Sequence, residues 1–218
     1  MIRTPDPTRR ALALGLATAP LVGLMRAGPA AAALPAADQA LVNRAVAYLE
    51  GLTQAKGSFV QTDPRGVTTQ GEIFLKRPGK ARFAYAPPSG LLVVSDGNLV
   101  SVANSKLKTF ESYPLGATPL SLFLARQIRL DRGVQVTRVN RLADGFSITA
   151  RDGKKQAEGQ ITLTFANTPM QLVGWTITDP QGQGTRVRLT RLEKVASLDD
   201  NLFVLKDPRN LRPGQPRM

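Results

Sequence analysis

The 218-residue chain contains no cysteine and no histidine. The first absence excludes a thiol nucleophile and a disulfide framework; together the two exclude a zinc finger, a Ser-His-Asp triad and a haem held by an axial imidazole. Acidic side chains are scarce, 16 against 29 lysines and arginines, for a formal net charge of +13. Aromatics make up only 6% of the chain, with a single tryptophan. A nucleic-acid surface of basic side chains interleaved with exposed stacking rings is therefore not expected. No apolar run reaches the ~20 residues that a membrane-spanning helix needs. What is present is a 42% hydrophobic composition with 19 glycines and 16 prolines, enough apolar material for a packed domain and enough turn formers for many short elements.

Arg3, Arg9 and Arg10 precede an uncharged apolar run from Ala11 to Leu24, closed by the small residues Ala30-Ala31-Ala32-Ala33. This is the pattern of a cleaved export signal over residues 1–33. Thr8-Arg9-Arg10-Ala11-Leu12 also carries the paired arginines of a twin-arginine signal, and the general secretory route fits equally. Cleavage removes Arg3, Arg9, Arg10, Arg26 and Asp6, so the remainder keeps a net charge of about +10. No cysteine follows the signal to take up a lipid anchor. Much of the positive charge falls singly along alternating segments, at Arg138, Arg141, Arg151, Arg186, Arg188 and Arg191, as expected of the wet face of a sheet.

From Gln39 to Ala55 apolar residues recur at three- and four-residue steps (Leu41, Val42, Ala45, Val46, Leu49, Leu52), predicting one amphipathic helix capped by Asp38 and ended near Gly57. Beyond Ser58 the period becomes two. The pairs Phe59/Gln61, Ile73/Leu75, Phe83/Tyr85, Leu91/Val93, Val100/Val102, Val134/Val136, Phe146/Ile148, Ile161/Leu163, Trp175/Ile177, Val187/Leu189 and Phe203/Leu205 predict about eleven short strands. Turn signals such as Asp63-Pro64-Arg65-Gly66, Arg77-Pro78-Gly79 and Asp96-Gly97 separate them and make neighbours antiparallel. A second, apolar helix is predicted within Leu115–Gln127, with Thr118 as N-cap and Pro119 at the first helical position. The expected class is mainly β (α+β): an incomplete antiparallel barrel whose mouth two helices cover. Periodicity leaves open whether such a barrel is hollow or filled by its own side chains. Ser105-Lys106-Leu107-Lys108 fits Ser-x-x-Lys but follows a strand instead of lying on a helix. No catalytic residue, metal ligand or cofactor is assigned.

A fixed order of short motifs then carries a resemblance over about Leu41 to Pro208. They are Gly57-Ser58-Phe59-Val60-Gln61; Gly71-Glu72-Ile73-Phe74-Leu75-Lys76-Arg77-Pro78-Gly79-Lys80-Ala81-Arg82-Phe83; Val94-Ser95-Asp96-Gly97; Thr118-Pro119-Leu120; Trp175-Thr176-Ile177-Thr178-Asp179; and Leu202-Phe203 before Pro208. In this order the chain resembles the LolA family of periplasmic carriers of outer-membrane lipoproteins. The resemblance implies a non-enzymatic, monomeric periplasmic protein with a carrier domain over residues 34–208 and a loose tail over 209–218. Its fold would be an open barrel with a helical lid over a hydrophobic cavity for acyl chains. Its partners would be acylated lipoproteins as cargo, an inner-membrane ABC-type releasing complex, and an outer-membrane receptor of the same fold. Arg77 matches the family's lid arginine, which governs opening and release. Phe59, Ile73, Leu75, Phe83, Leu91, Val93, Leu120, Phe123 and Trp175 are the candidate acyl-chain residues, and Lys76, Lys80 and Arg82 a candidate docking rim for an acidic partner. The alternative is a periplasmic binder or sensor of another lipid on the same fold.

Overall fold

A computed structural model describes residues 34–128, 134–153 and 159–207; the expected export signal (1–33) and tail (209–218) lie outside the described residues. Helix α1 spans Ala36–Glu50 and helix α2 Leu120–Leu124. The strands are β1 (Gln54–Thr62), β2 (Thr68–Lys76), β3 (Lys80–Tyr85), β4 (Leu91–Asp96), β5 (Leu99–Asn104), β6 (Thr109–Pro114), β7 (Val134–Leu142), β8 (Gly145–Asp152), β9 (Gln160–Asn167), β10 (Met170–Thr178) and β11 (Gly184–Lys194). They form one antiparallel sheet in the order β6-β5-β4-β3-β2-β1-β11-β10-β9-β8-β7. The chain thus runs outward from the centre to the β6 edge, crosses by way of α2 to the β7 edge, and returns inward until β11 pairs with β1.

The sheet curls strongly. Phe83 on β3 and Trp175 on β10 lie four strand spacings apart, roughly 19 Å along a flat sheet, yet their ring centroids are 6.0 Å apart. The concave face collects one core, with Phe59, Ile73, Leu75, Phe83, Phe146, Ile161, Phe165 and Trp175 from the strands, Val42, Ala45 and Leu49 from α1, and Leu120, Phe123 and Leu124 from α2. Register explains the alternation. Ile73, Phe83, Val93 and Val102 face one another across β2 to β5, and Val187, Trp175, Leu163 and Ile148 do so across β11 to β8. Arg138, Arg141, Arg151, Arg186, Arg188 and Arg191 are all exposed.

A second apolar cluster lies on the convex side, where the segment after β11 folds over β2 to β4. Val94, Leu198 and Phe203 are buried there, with Phe74, Leu92, Val195, Leu202 and Leu205 against them. The Gln54 side chain accepts from the Leu198 amide at 2.7 Å, and the Val195 amide donates to the Gln54 carbonyl at 3.1 Å.

Four expectations need correction. Helix α1 ends at Glu50, because Gly51 closes it with its amide on the Ala47 carbonyl at 3.1 Å, and Ala55 belongs to β1. Asp38 lies in the first turn of α1 and pairs with Arg141 at 2.8 Å, the preceding cap position being Pro35. Helix α2 is a single five-residue turn begun by Pro119, and the Thr118 hydroxyl donates back to the Leu115 carbonyl at 2.8 Å. Phe203 closes a 3-10 turn over Asp200–Phe203, fixed by the Asp199 carboxylate accepting from the Asn201 amide at 2.9 Å. The eleventh strand is instead β6, whose residues are almost all exposed and so show no alternation of hydrophobicity.

Candidate functional site

The turn between β2 and β3 meets both helices. The Arg77 guanidinium donates through Nη1 to the Leu49 carbonyl, in the last turn of α1, and through Nη2 to the Ala125 carbonyl, just past α2, at 2.6 Å. These oxygens belong to helix C-termini, where carbonyls lack intrahelical partners and a positive charge is favoured. Arginine suits the position because its planar fork reaches two acceptors on different elements and stays charged. The backbone joins in. The Arg77 amide donates to the Thr53 carbonyl at 2.7 Å, and the Gly79 amide to the Leu124 carbonyl at 2.8 Å.

Gly79 is required here. Its φ of +78° is left-handed, and a Cβ would stand 2.7 Å from the Gly97 Cα in the next turn. The buried Ser95 hydroxyl holds the same turn by donating to the Gly79 carbonyl at 2.6 Å.

The grip is not fully satisfied. Among the described residues Arg77 Nε has no hydrogen-bond partner although it is buried. Burial lowers the Arg77 pKa from its ordinary value, and the nearby Glu50 charge partly opposes that shift. The closed arrangement therefore joins two charge-assisted hydrogen bonds to an unreturned desolvation cost.

Beneath the helices lies an apolar cavity of about 30 Å³, lined by Ala45, Val46 and Leu49 of α1, Leu122 and Phe123 of α2, Ile128, and Val134, Ile148, Ala150, Ile161 and Leu163 of β7 to β9. That volume admits no more than a few water molecules. In this closed form an acyl chain has no room unless the helices move.

Of the nine candidate acyl-chain residues, Phe123 lines this cavity. Phe59, Ile73, Leu75, Phe83, Leu120 and Trp175 are buried in the same core, Val93 is half-buried against it, and Leu91 is half-buried near the β3–β4 turn. An aromatic ladder connects them. Tyr85 meets Phe59 at 5.1 Å, Phe59 meets Phe83 at 5.8 Å, and Trp175 lies between Phe83 and Phe123, 5.9 Å from the latter in a stacked arrangement. Helix α2 thus packs on the sheet through the Phe123–Trp175 stack, with Leu120 and Leu124 buried beside it.

Sequence reasoning did not single out the wall that β7 to β9 and α1 supply, although Ile148, Ile161 and Leu163 stand in period-two runs and Ala45, Val46 and Leu49 on the helix's apolar stripe. Gly79 and Ser95 stand within the turn and motif runs, but the sequence does not signal the bond of the Gly79 amide to Leu124 or of the Ser95 hydroxyl to Gly79.

At the bottom of the ladder the Tyr85 hydroxyl donates to Gln61 Oε1 at 2.6 Å, and burial pushes the Tyr85 pKa up to about 12. A phenol whose folded pKa exceeds its unfolded value of about 10 gives stability that is complete below pH ~10 and lost as pH rises towards ~12. Tyr85→Phe is expected to flatten the alkaline fall in melting temperature over that window; an unchanged slope would refute the assignment.

The candidate docking rim lies on the convex side. Lys80 and Lys76 pair with Asp200 at 2.7 and 3.0 Å, Lys76 donates to the Leu198 carbonyl at 3.0 Å, and Arg82 to the Leu202 carbonyl at 3.0 Å. These cations hold the segment after β11. Hydrogen bonds from Lys80, then Lys76, lower the Asp200 pKa, so this contribution is present above the ordinary carboxylate range and lost as pH falls through the depressed value. Asp200→Asn is expected to melt slightly below wild type at neutral pH and to converge with it in acid; a gap persisting at low pH would remove Asp200 from this role.

The model of the family described as outer membrane lipoprotein carrier protein LolA matches residues 50–206. The outer-membrane lipoprotein carrier protein of Chromobacterium violaceum is 27% identical over 202 residues, covering 88% of this chain and 96% of that one. That of Chromohalobacter salexigens is 29% identical over 189 residues, covering 81% and 89%. Among solved structures, a LolA superfamily protein from Nitrosomonas europaea superposes with a TM-score of 0.41 at 10% identity, covering 75% of this chain and 97% of that one. With the family match spanning all eleven strands of the open sheet and the Arg77 turn, the chain belongs to the LolA family of outer membrane lipoprotein carrier proteins.

Proposed function

We propose that this protein is a soluble periplasmic carrier, exported by a signal cleaved after about Ala33, that shelters the acyl chains of lipoproteins beneath α1 and α2. It receives them from an inner-membrane ABC-type complex and passes them to an outer-membrane receptor of the same fold. Arg77 is the latch of the lid. The observation that carries this reading is the Arg77 fork, which ties the ends of both helices to one strand turn above an entirely apolar cavity. The names of the relatives, outer-membrane lipoprotein carrier proteins, support the cargo class.

The energetics explain the need for partners at both ends. Burying one chain of roughly 16 carbons is worth about 13 kcal/mol at about 0.8 per methylene, whereas net non-covalent binding rarely exceeds about 21 kcal/mol. Opening the lid and ordering the chains must cancel much of the gross gain for a triacylated cargo. Release into water would still be slow, so cargo passes directly from cavity to cavity. Loading draws on an external energy source, which the releasing complex supplies.

The test is purification from an exporting cell without detergent, followed by mass spectrometry of the bound material. Acylated polypeptide in stoichiometric association supports the carrier. Free phospholipid without any acylated polypeptide would replace it by a general lipid binder or sensor.

A further inference from the structure

We propose that the rim opposite the Arg77 turn is a docking edge for an anionic phospholipid surface, with the β5–β6 hairpin tip as its anchor. In this meander the β1–β2, β3–β4 and β5–β6 turns share one end of the sheet, while the β2–β3 turn with Arg77 lies at the other. Leu107, at the β5–β6 tip, is 71% exposed, the highest value for a large hydrophobic side chain among the described residues. Lys106 and Lys108 flank it.

The tip is built to present that leucine. The Asn104 side chain accepts from the amides of Lys106 and Leu107, both at 3.0 Å. The Ser105 amide donates to the Gly90 carbonyl at 2.9 Å, bracing the tip against the β3–β4 turn. Lys108 sits at φ +54°, the one non-glycine left-handed residue among the described residues, a conformation that costs a lysine energy and that glycine or asparagine would adopt more readily.

The β1–β2 turn on the same rim repeats the theme, with Val67 54% exposed beside Arg65. Between Gly97 and Phe110, and between Ala81 and Ser95, the sequence has no acidic residue. Asp63, the acid of the β1–β2 turn, already accepts from the amides of Arg65 and Val67 and pairs with Arg65. An apolar tip between cations, on the part of the rim formed by the β1–β2, β3–β4 and β5–β6 turns where Asp63 is the one acid, matches a negatively charged interface that an apolar side chain can enter. Docked this way, the carrier holds its latch end away from the lipid, free for a partner. Docking by this edge does not depend on the identity of the cargo.

The experiment floats the processed, exported protein with vesicles of phosphatidylglycerol and phosphatidylcholine, and with phosphatidylcholine alone. Wild type is expected to bind the anionic vesicles only. Lys106→Gln with Lys108→Asn should weaken that binding about 25-fold, at roughly fivefold per lysine, and Leu107→Ser should weaken it further without changing the melting temperature. Leu107→Trp should show blue-shifted emission on the anionic vesicles, against a constant background from the buried Trp175. Equal binding by wild type and the lysine variant would overturn the proposal in favour of diffuse charge. Absence of binding by wild type would overturn it in favour of an acidic protein partner.

Discussion

Arg77→Leu is expected to yield a folded protein that retains its acylated cargo. In the structure the guanidinium contacts carbonyls of both helix ends; on the proposed reading, lifting the helices breaks these hydrogen bonds, so they stabilise the closed form and have no equivalent in the open one. Hydrogen bonds to charged groups contribute about 1.5–3 kcal/mol each. Taking about 3 kcal/mol in total for a half-buried group with an orphaned Nε, the closed-to-open ratio falls on the order of a hundredfold. On the same reading cargo binds the open form, so its apparent affinity should rise as that form becomes populated, and closure should no longer expel the chains during transfer. Global stability should fall by no more than the closed form's lead over the open one, because the open form loses nothing when the fork is removed. Arg77→Lys, a point charge able to reach one carbonyl at a time, should fall between. The measurement is the amount of acylated polypeptide copurifying with each variant, alongside its melting temperature. Equal loading of wild type and Arg77→Leu at equal stability would remove Arg77 from the latch.

How much of this could be read from the chain depends on which force writes the signal. Burial of one sheet face writes a period of two, and Ile73/Leu75, Phe83/Tyr85 and Ile161/Leu163/Phe165 were legible because their partners across the strands share that face. Strand β6 has no buried face and left no period. At the bulge between Leu172 and Gly174 the alternation slips, so Leu172 and Trp175 both point inward across an interval of three. The apparent strand at Phe203/Leu205 arose because two apolar residues also suit a segment lying on the convex face. Arg77 was legible only through its motif, since a strand-end arginine beside Pro-Gly looks the same whether it meets water or two helix ends. The cavity wall from β7 to β9 was legible as strands but not as a wall, because curvature, a property of the whole sheet, decides which half of the barrel faces α1.

Phe123→Ala is expected to split two properties that an ordinary core substitution moves together. Phe123 is 1% exposed and stacks on Trp175, the chain's one tryptophan, itself 3% exposed. Truncating a buried phenylalanine costs about 3–5 kcal/mol. Helix α2 has only five residues, too few for intrinsic helical stability, so much of that loss falls on lid closure. Unfolding should therefore become easier while affinity for a single-chain fluorescent acyl probe rises, and Trp175 should become accessible to a soluble quencher. Phe59→Ala is the contrast. It is equally buried and edge-on to Phe83 and Tyr85, but it stands on the floor strand β1, so it should lose comparable stability with no gain in probe affinity. If both variants bind the probe alike, α2 is not a lid. The combination with Arg77→Leu is the stricter comparison, because both changes act on one closed form through different groups. Once either has opened the lid the other has little left to release, so their effects on probe affinity should fall short of additive.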